Sequence, residues 1–97
     1  MEKNELIRKQ ILEKAVTYTC GDREANYGTP EENFTAIAKL WSCWLGIDIS
    51  AHDVAILMAL LKIGRMQTGA LKDDTYIDAC GYLACGAEIA LKNKEDK

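Results

Sequence analysis

Apolar residues recur at three- and four-residue spacing along most of this chain, a period that fits helices and not strands. Caps and glycines divide the pattern, since the single proline is Pro30. In the first segment Leu6, Ile7, Ile11, Leu12, Ala15 and Val16 form one apolar stripe. The stripe predicts a helix from about Asn4 to Thr19, with Gly21 as its stop. Thr29, Pro30 and Glu32 then supply an N-cap, a proline suited to the first helical position and the far side of a capping box. The second helix carries Phe34, Ile37, Leu40, Trp41, Trp44 and Leu45 and stops at Gly46. Ser50, with Asp53 three residues on, opens a third helix from Ala51 to about Gln67, and Gly69 lies just past it. From Val54 to Leu61 this helix is apolar on every side, which predicts a central place for it.

The fourth helix is predicted from Asp73 or Asp74 to about Asn93, with residues 93–97 as a solvated tail. Its middle, Ala79 to Ala87, is dense in small residues, so a neighbouring backbone can come close. Gly81 and Gly86 each cost about 1 kcal/mol of helix propensity relative to alanine, and close packing is the expected compensation. The expected fold is all-α: one compact bundle of about four helices over residues 1–97, with its core in about 4–92. A chain of 97 residues leaves much of its surface exposed, and the apolar third helix and paired tryptophans offer more surface to bury than one chain needs. A homo-oligomer, most simply a dimer, is therefore expected.

Composition narrows the function classes. Apolar residues make up 48% of the chain, enough to build a core. A net charge of −3 argues against a general nucleic-acid binder but leaves room for a small basic pocket. The longest apolar run, Val54 to Leu61, is far below the roughly 20 residues that span a bilayer. The charged N-terminus is not followed by a signal-peptide apolar run, so no membrane association and a cytoplasmic location are expected. Cys20, Cys43, Cys80 and Cys85 form no C-x-x-C pair, and His52 stands at ligand spacing from none of them, so small buried thiols are expected rather than a zinc site.

Two groups of residues can carry chemistry. Lys62 interrupts the most apolar helix and Arg65 follows it one turn later, while Asp74 and Asp78 form an i, i+4 pair on the fourth helix. A short turn centred near Ala70 makes the two helices antiparallel, so Lys62 falls opposite Asp78 and Arg65 opposite Asp74 or Thr75. These are inter-helix ion pairs that fix the register, or a phosphate site in which the carboxylates orient the cations or hold a metal ion. The second group is the loop from Arg23 to Gly28. Arg23 can reach a phosphate, Asn26 can read a base or sugar edge, Tyr27 can stack on a base, and Gly28 permits a tight turn. Against this, the loop can be an ordinary connection anchored by Tyr27 on the core. Asn33, one turn into the second helix, can join either group. Trp41 and Trp44 are read as core or oligomer interface. No glycine-rich phosphate loop, nucleophile elbow or His-based triad is present.

The segment Asp22-Arg23-x-x-Asn26-Tyr27-Gly28-x-Pro30-Glu31-x-Asn33-Phe34 resembles the opening of a small helical domain of unknown function widespread in tailed phages and prophages. So do Ile37-Ala38-x-Leu40-Trp41, Asp53-Val54-x-x-x-Met58-x-x-x-Lys62-x-x-Arg65 and Asp74-x-x-x-Asp78-Ala79-x-Gly81-Tyr82, and the resemblance spans about residues 11–90. It implies a phage-type origin and, if so, a place in the cytoplasm of a bacterial host. A more distant likeness is to the MazG-like all-α nucleoside triphosphate pyrophosphatases, which bind magnesium through acidic residues. Their E-x-x-E and E-x-x-D pairs are absent, Glu31 and Glu32 being adjacent, and only Asp74 with Asp78 resembles the second pair.

The leading expectation is an oligomeric phage-type protein that binds and sequesters a nucleotide-like ligand, such as a host immune signal, without catalysis or cofactor. Arg23, Lys62 and Arg65 would hold phosphates, Asn26 and Tyr27 base or sugar, with Asn33, Asp74 and Asp78 completing the site. One alternative is a magnesium-dependent nucleotide pyrophosphatase with Asp74 and Asp78 as metal ligands. Another is an interaction module that inhibits a host enzyme through its acidic surface.

Overall fold

The computed structural model describes residues 6–21 and 28–95. Within them lie four helices and no strand: α1 (Ile7–Cys20), α2 (Pro30–Leu45), α3 (Ala51–Thr68) and α4 (Asp73–Glu95). The start signals act as the sequence predicts. At α2, Thr29 Oγ1 accepts from Glu32 N–H at 3.1 Å while Thr29 N–H donates to Glu32 Oε1 at 3.0 Å. At α3, Ser50 and Asp53 make the same reciprocal pair, both bonds at 3.0 Å. Each box satisfies two amides that the first helical turn leaves without partners. Gly46 closes α2 in the left-handed region at φ 75°, its N–H donating to the Ser42 carbonyl at 2.8 Å. The connector to α3 is pinned by Ser42, whose hydroxyl accepts from Ile49 N–H at 2.8 Å and donates to the Ile49 carbonyl at 3.3 Å. At the other end of the chain α4 runs on through Asn93 and Lys94 to Glu95, so most of the expected tail is helix.

The hub of the bundle is α4, which packs on α1, α2 and α3, most extensively on α3; α3 also packs on α2. The small residues of α4 make this possible. A Cβ built on Gly81 would lie 2.8 Å from Thr19 Cγ2 on α1, and one built on Gly86 would lie 3.1 Å from the Ala55 Cβ on α3. Two helices therefore approach α4 at its glycines. The core between α2, α3 and α4 is Phe34, Ala38, Val54, Ala55, Cys85 and Ile89, with Ile37, Trp41, Met58 and Tyr82 packed against it.

Three expectations are corrected. First, α3 is not enclosed. Val54, Ala55 and Ala59 are buried, but Leu57, Leu60, Leu61 and Ile63 are exposed, because one chain supplies neighbours for one side of this helix only. Second, α1 docks by one edge of its stripe only. Ala15 is buried and Ile11 half-buried, while Leu6, Ile7, Leu12 and Val16 are exposed. Contact with Gly81 selects the narrow side of α1, where Thr19 fits and a leucine would hold the helices apart. Third, the thiols divide: Cys85 is buried and Cys80 half-buried, but Cys20 and Cys43 are exposed, and none is in a disulfide. Of the tryptophans, Trp41 packs on the core and Trp44 is 87% exposed.

Thr19 is stiff, being β-branched and tied by its hydroxyl to the Ala15 carbonyl at 2.8 Å, so it cannot swing away from an added methyl. Gly81→Ala should therefore lower stability by about 0.5–2 kcal/mol, overpacking outweighing the gain in helix propensity. Adding Thr19→Ser, which deletes Cγ2 and keeps the hydroxyl, should restore most of the loss. Urea melts of the two variants check this, and a higher midpoint for Gly81→Ala would overturn it.

Candidate functional site

The antiparallel α3–α4 hairpin has the register that the sequence predicts. Lys62 Nζ lies 3.1 Å from Asp78 Oδ2, the Lys62 side chain being 20% exposed and that of Asp78 37%. Each sits on a helix otherwise rich in apolar residues, and the pairing lets both charges enter a partly desolvated interface together. The second expected pair does not form. Arg65 and Asp74 are exposed, and neither makes an ion pair with a described residue. The carboxylate that does pair near the start of α4 is Asp73, with Lys14 of α1 at 3.6 Å, and both side chains are more than half exposed. Such a pair contributes little to stability.

Asp78 also faces a groove of about 210 Å³. Tyr18 and Thr19 of α1, Pro30, Asn33 and Phe34 of α2, and Ile77, Asp78, Gly81, Tyr82 and Cys85 of α4 line it, with Gly28 at its edge. The glycine contact between α1 and α4 thus forms one wall. Phe34 and Tyr82 stack obliquely, ring centroids 6.1 Å apart, and make an aromatic side. Among the described residues the Asn33 amide has no hydrogen-bond partner, and it opens on the groove with two donors and an acceptor. Gly28 sits at φ 83°, and a Cβ there would lie 2.7 Å from Glu32 Oε1, so glycine is required both by the backbone and by the capping carboxylate.

The groove therefore gathers Asn33 and Asp78, with Lys62 reaching Asp78 from behind, and leaves Arg65 and Asp74 apart. Arg23, Asn26 and Tyr27 lie outside the described residues. The sequence carries no local signal for Tyr18, Phe34 and Tyr82 as site residues, because only the crossing of three helices brings them together. Among the described residues no group of three or more His, Cys, Asp or Glu side chains is placed to hold a metal ion.

The Lys62–Asp78 contact should appear as coupling. In a double-mutant cycle of Lys62→Met and Asp78→Asn, followed by thermal or urea unfolding, the interaction energy should be about 0.5–1.5 kcal/mol. A value of zero would mean that packing alone sets the α3–α4 register.

The chain is 44% identical over 81 residues to the Gene 55 protein of Mycobacterium phage D29, an alignment that covers 84% of this chain and 54% of that protein. It is 35% identical over 86 residues to the Gene 55 protein of Mycobacterium phage L5, covering 88% of this chain and 55% of that one. The chain thus spans about half the length of the curated relatives it matches. No solved structure matches it. Among the described residues no helix is long and apolar enough to cross a membrane. Residues 10–90 match DUF6378, a domain of unknown function, and this all-helical chain belongs to that family.

Proposed function

We propose that this chain binds a nucleotide-like ligand and holds it without turnover, with the base or sugar seated in the groove between α1, α2 and α4. The observation that supports this reading is the Asn33 amide, without a partner among the described residues, beside the Phe34–Tyr82 aromatic side and the Asp78 carboxylate. A flat ring with polar edges suits such a lining: aromatic faces take the ring, and an amide reads its donors and acceptors. At about 210 Å³ the groove takes one ring-bearing part of a ligand, and the phosphates would lie outside it. Arg23 is assigned to those phosphates, on sequence grounds. Lys62 does not line the groove, so its part is to hold Asp78 in place.

An Asp78 carboxylate already paired with Lys62 is a weak candidate for a cation ligand, which supports retention over hydrolysis. The kinship to phage proteins supports a setting in the cytoplasm of an infected bacterium, where removing a host signalling nucleotide would protect the phage.

The test is to incubate the protein with a panel of nucleotides, with and without magnesium, then denature it and analyse what is released. Intact ligand supports the proposal; magnesium-dependent release of a monophosphate and pyrophosphate would overturn it in favour of a pyrophosphatase. Asn33→Ala should weaken binding by about 1–2 kcal/mol, the cost of a lost hydrogen bond at a partly buried site, with stability unchanged. Lys62→Met, which touches no ligand but frees Asp78, should weaken it by about 0.5–2 kcal/mol. Calorimetric titration of the three proteins reads both effects.

A further inference from the structure

We propose that the groove selects guanine among the bases, with Asp78 accepting from the adjacent N–H donors of its Watson–Crick edge and Asn33 donating to its carbonyl oxygen. The inference rests on the nucleotide reading above and deepens it by naming the base.

Asp78 and Tyr82 are four residues apart on α4, so they share one face of the helix, a single turn apart. Phe34, the residue after Asn33 on α2, meets Tyr82 across the helix interface, ring centroids 6.1 Å apart and planes inclined at 33°. Phe34 is buried and Tyr82 half-buried, so the ring face left for a base belongs mainly to Tyr82. A base lying against that face turns an edge toward the carboxylate one turn away and toward the Asn33 amide.

The carboxylate decides which edge fits. An amide carries both donors and acceptor and can turn over, so Asn33 alone suits adenine as well as guanine. A carboxylate only accepts, and its two oxygens stand side by side. Guanine is the common base with two adjacent N–H donors, at N1 and the 2-amino group, and beside them lies a carbonyl oxygen for the amide. Adenine and cytosine offer one amino group flanked by a ring-nitrogen acceptor. Uracil and thymine offer one N–H flanked by two carbonyl oxygens. Each of these sets a lone pair against a carboxylate oxygen, which repels it. Hydrogen bonds to an ionised group are roughly twice as strong as neutral ones, so Asp78 outweighs Asn33 in the choice.

Lys62 makes this use of Asp78 possible. Its ammonium lies 3.1 Å from Oδ2 and comes from α3, which does not line the groove. It engages one oxygen from behind and leaves Oδ1 and the second lone pair of Oδ2 for a ligand. Its charge also offsets the repulsion between the carboxylate and a phosphate-bearing ligand.

Calorimetric titration of the full chain with nucleoside 5′-monophosphates, up to millimolar concentration, tests this. Guanosine monophosphate should bind about tenfold tighter than inosine monophosphate, which lacks only the 2-amino group. It should bind about a hundredfold tighter than adenosine monophosphate, which loses a donor and adds a repulsion. Asp78→Asn, with helicity checked by circular dichroism, should shift the preference to xanthosine monophosphate, whose edge sets one donor beside one acceptor. The wild-type panel decides by itself if Asp78→Asn does not fold. Equal binding of the bases, or tighter binding of adenosine or inosine monophosphate, overturns guanine selection and leaves nucleotide binding standing. So does a folded Asp78→Asn variant that keeps the guanine preference. Binding of none of these nucleotides overturns both readings.

Discussion

The closeness of α1 and α3 to α4 is the constraint on which the rest of the structure depends. It is set by the absence of a side chain at Gly81 and Gly86, five residues apart on one helix. At Gly86 the gap is filled by the methyl of Ala55, a short residue on the buried side of α3. At Gly81 it is filled by Thr19, and the same approach brings Tyr18 and Thr19 up to Asp78 and Tyr82 to make the groove. A bundle this small has few large buried side chains; the biggest fully buried ones are Ile77, Ile89 and Val54. Its cohesion comes from many short contacts at close range, where dispersion is strongest, more than from bulky residues removed from water.

The Lys62–Asp78 pair fixes a different variable. Small residues permit helices to approach but do not fix their sliding, since alanine and glycine surfaces are nearly featureless along the helix axis. One charge on each helix, paired at 3.1 Å, penalises any shift by a turn, because both groups would then lose their partner in a half-buried place. The pair thus sets register where packing alone is permissive, and it also fixes where the carboxylate stands in the groove.

Much of this fold is legible in the sequence because its signals are local. The capping boxes at Thr29 and Ser50 involve residues three apart, and the Lys62–Asp78 register follows from counting outward from a short turn. The phage-domain likeness is legible for the same reason, being carried by short motifs that residues 10–90 confirm as family membership. What the sequence does not show depends on which side of a helix meets its neighbour. The α1 stripe is genuine in periodicity, yet α1 docks through Ala15 and Thr19 because Gly81 rewards a narrow contact over an apolar one. Ser42 carries no local signal, and its role in securing the α2–α3 connector is visible only once Ile49 is seen beside it. Arg65 and Asp74 illustrate the converse. Helical spacing puts them opposite one another, but beside the turn that closes the hairpin both side chains reach water, and solvation outcompetes the pair.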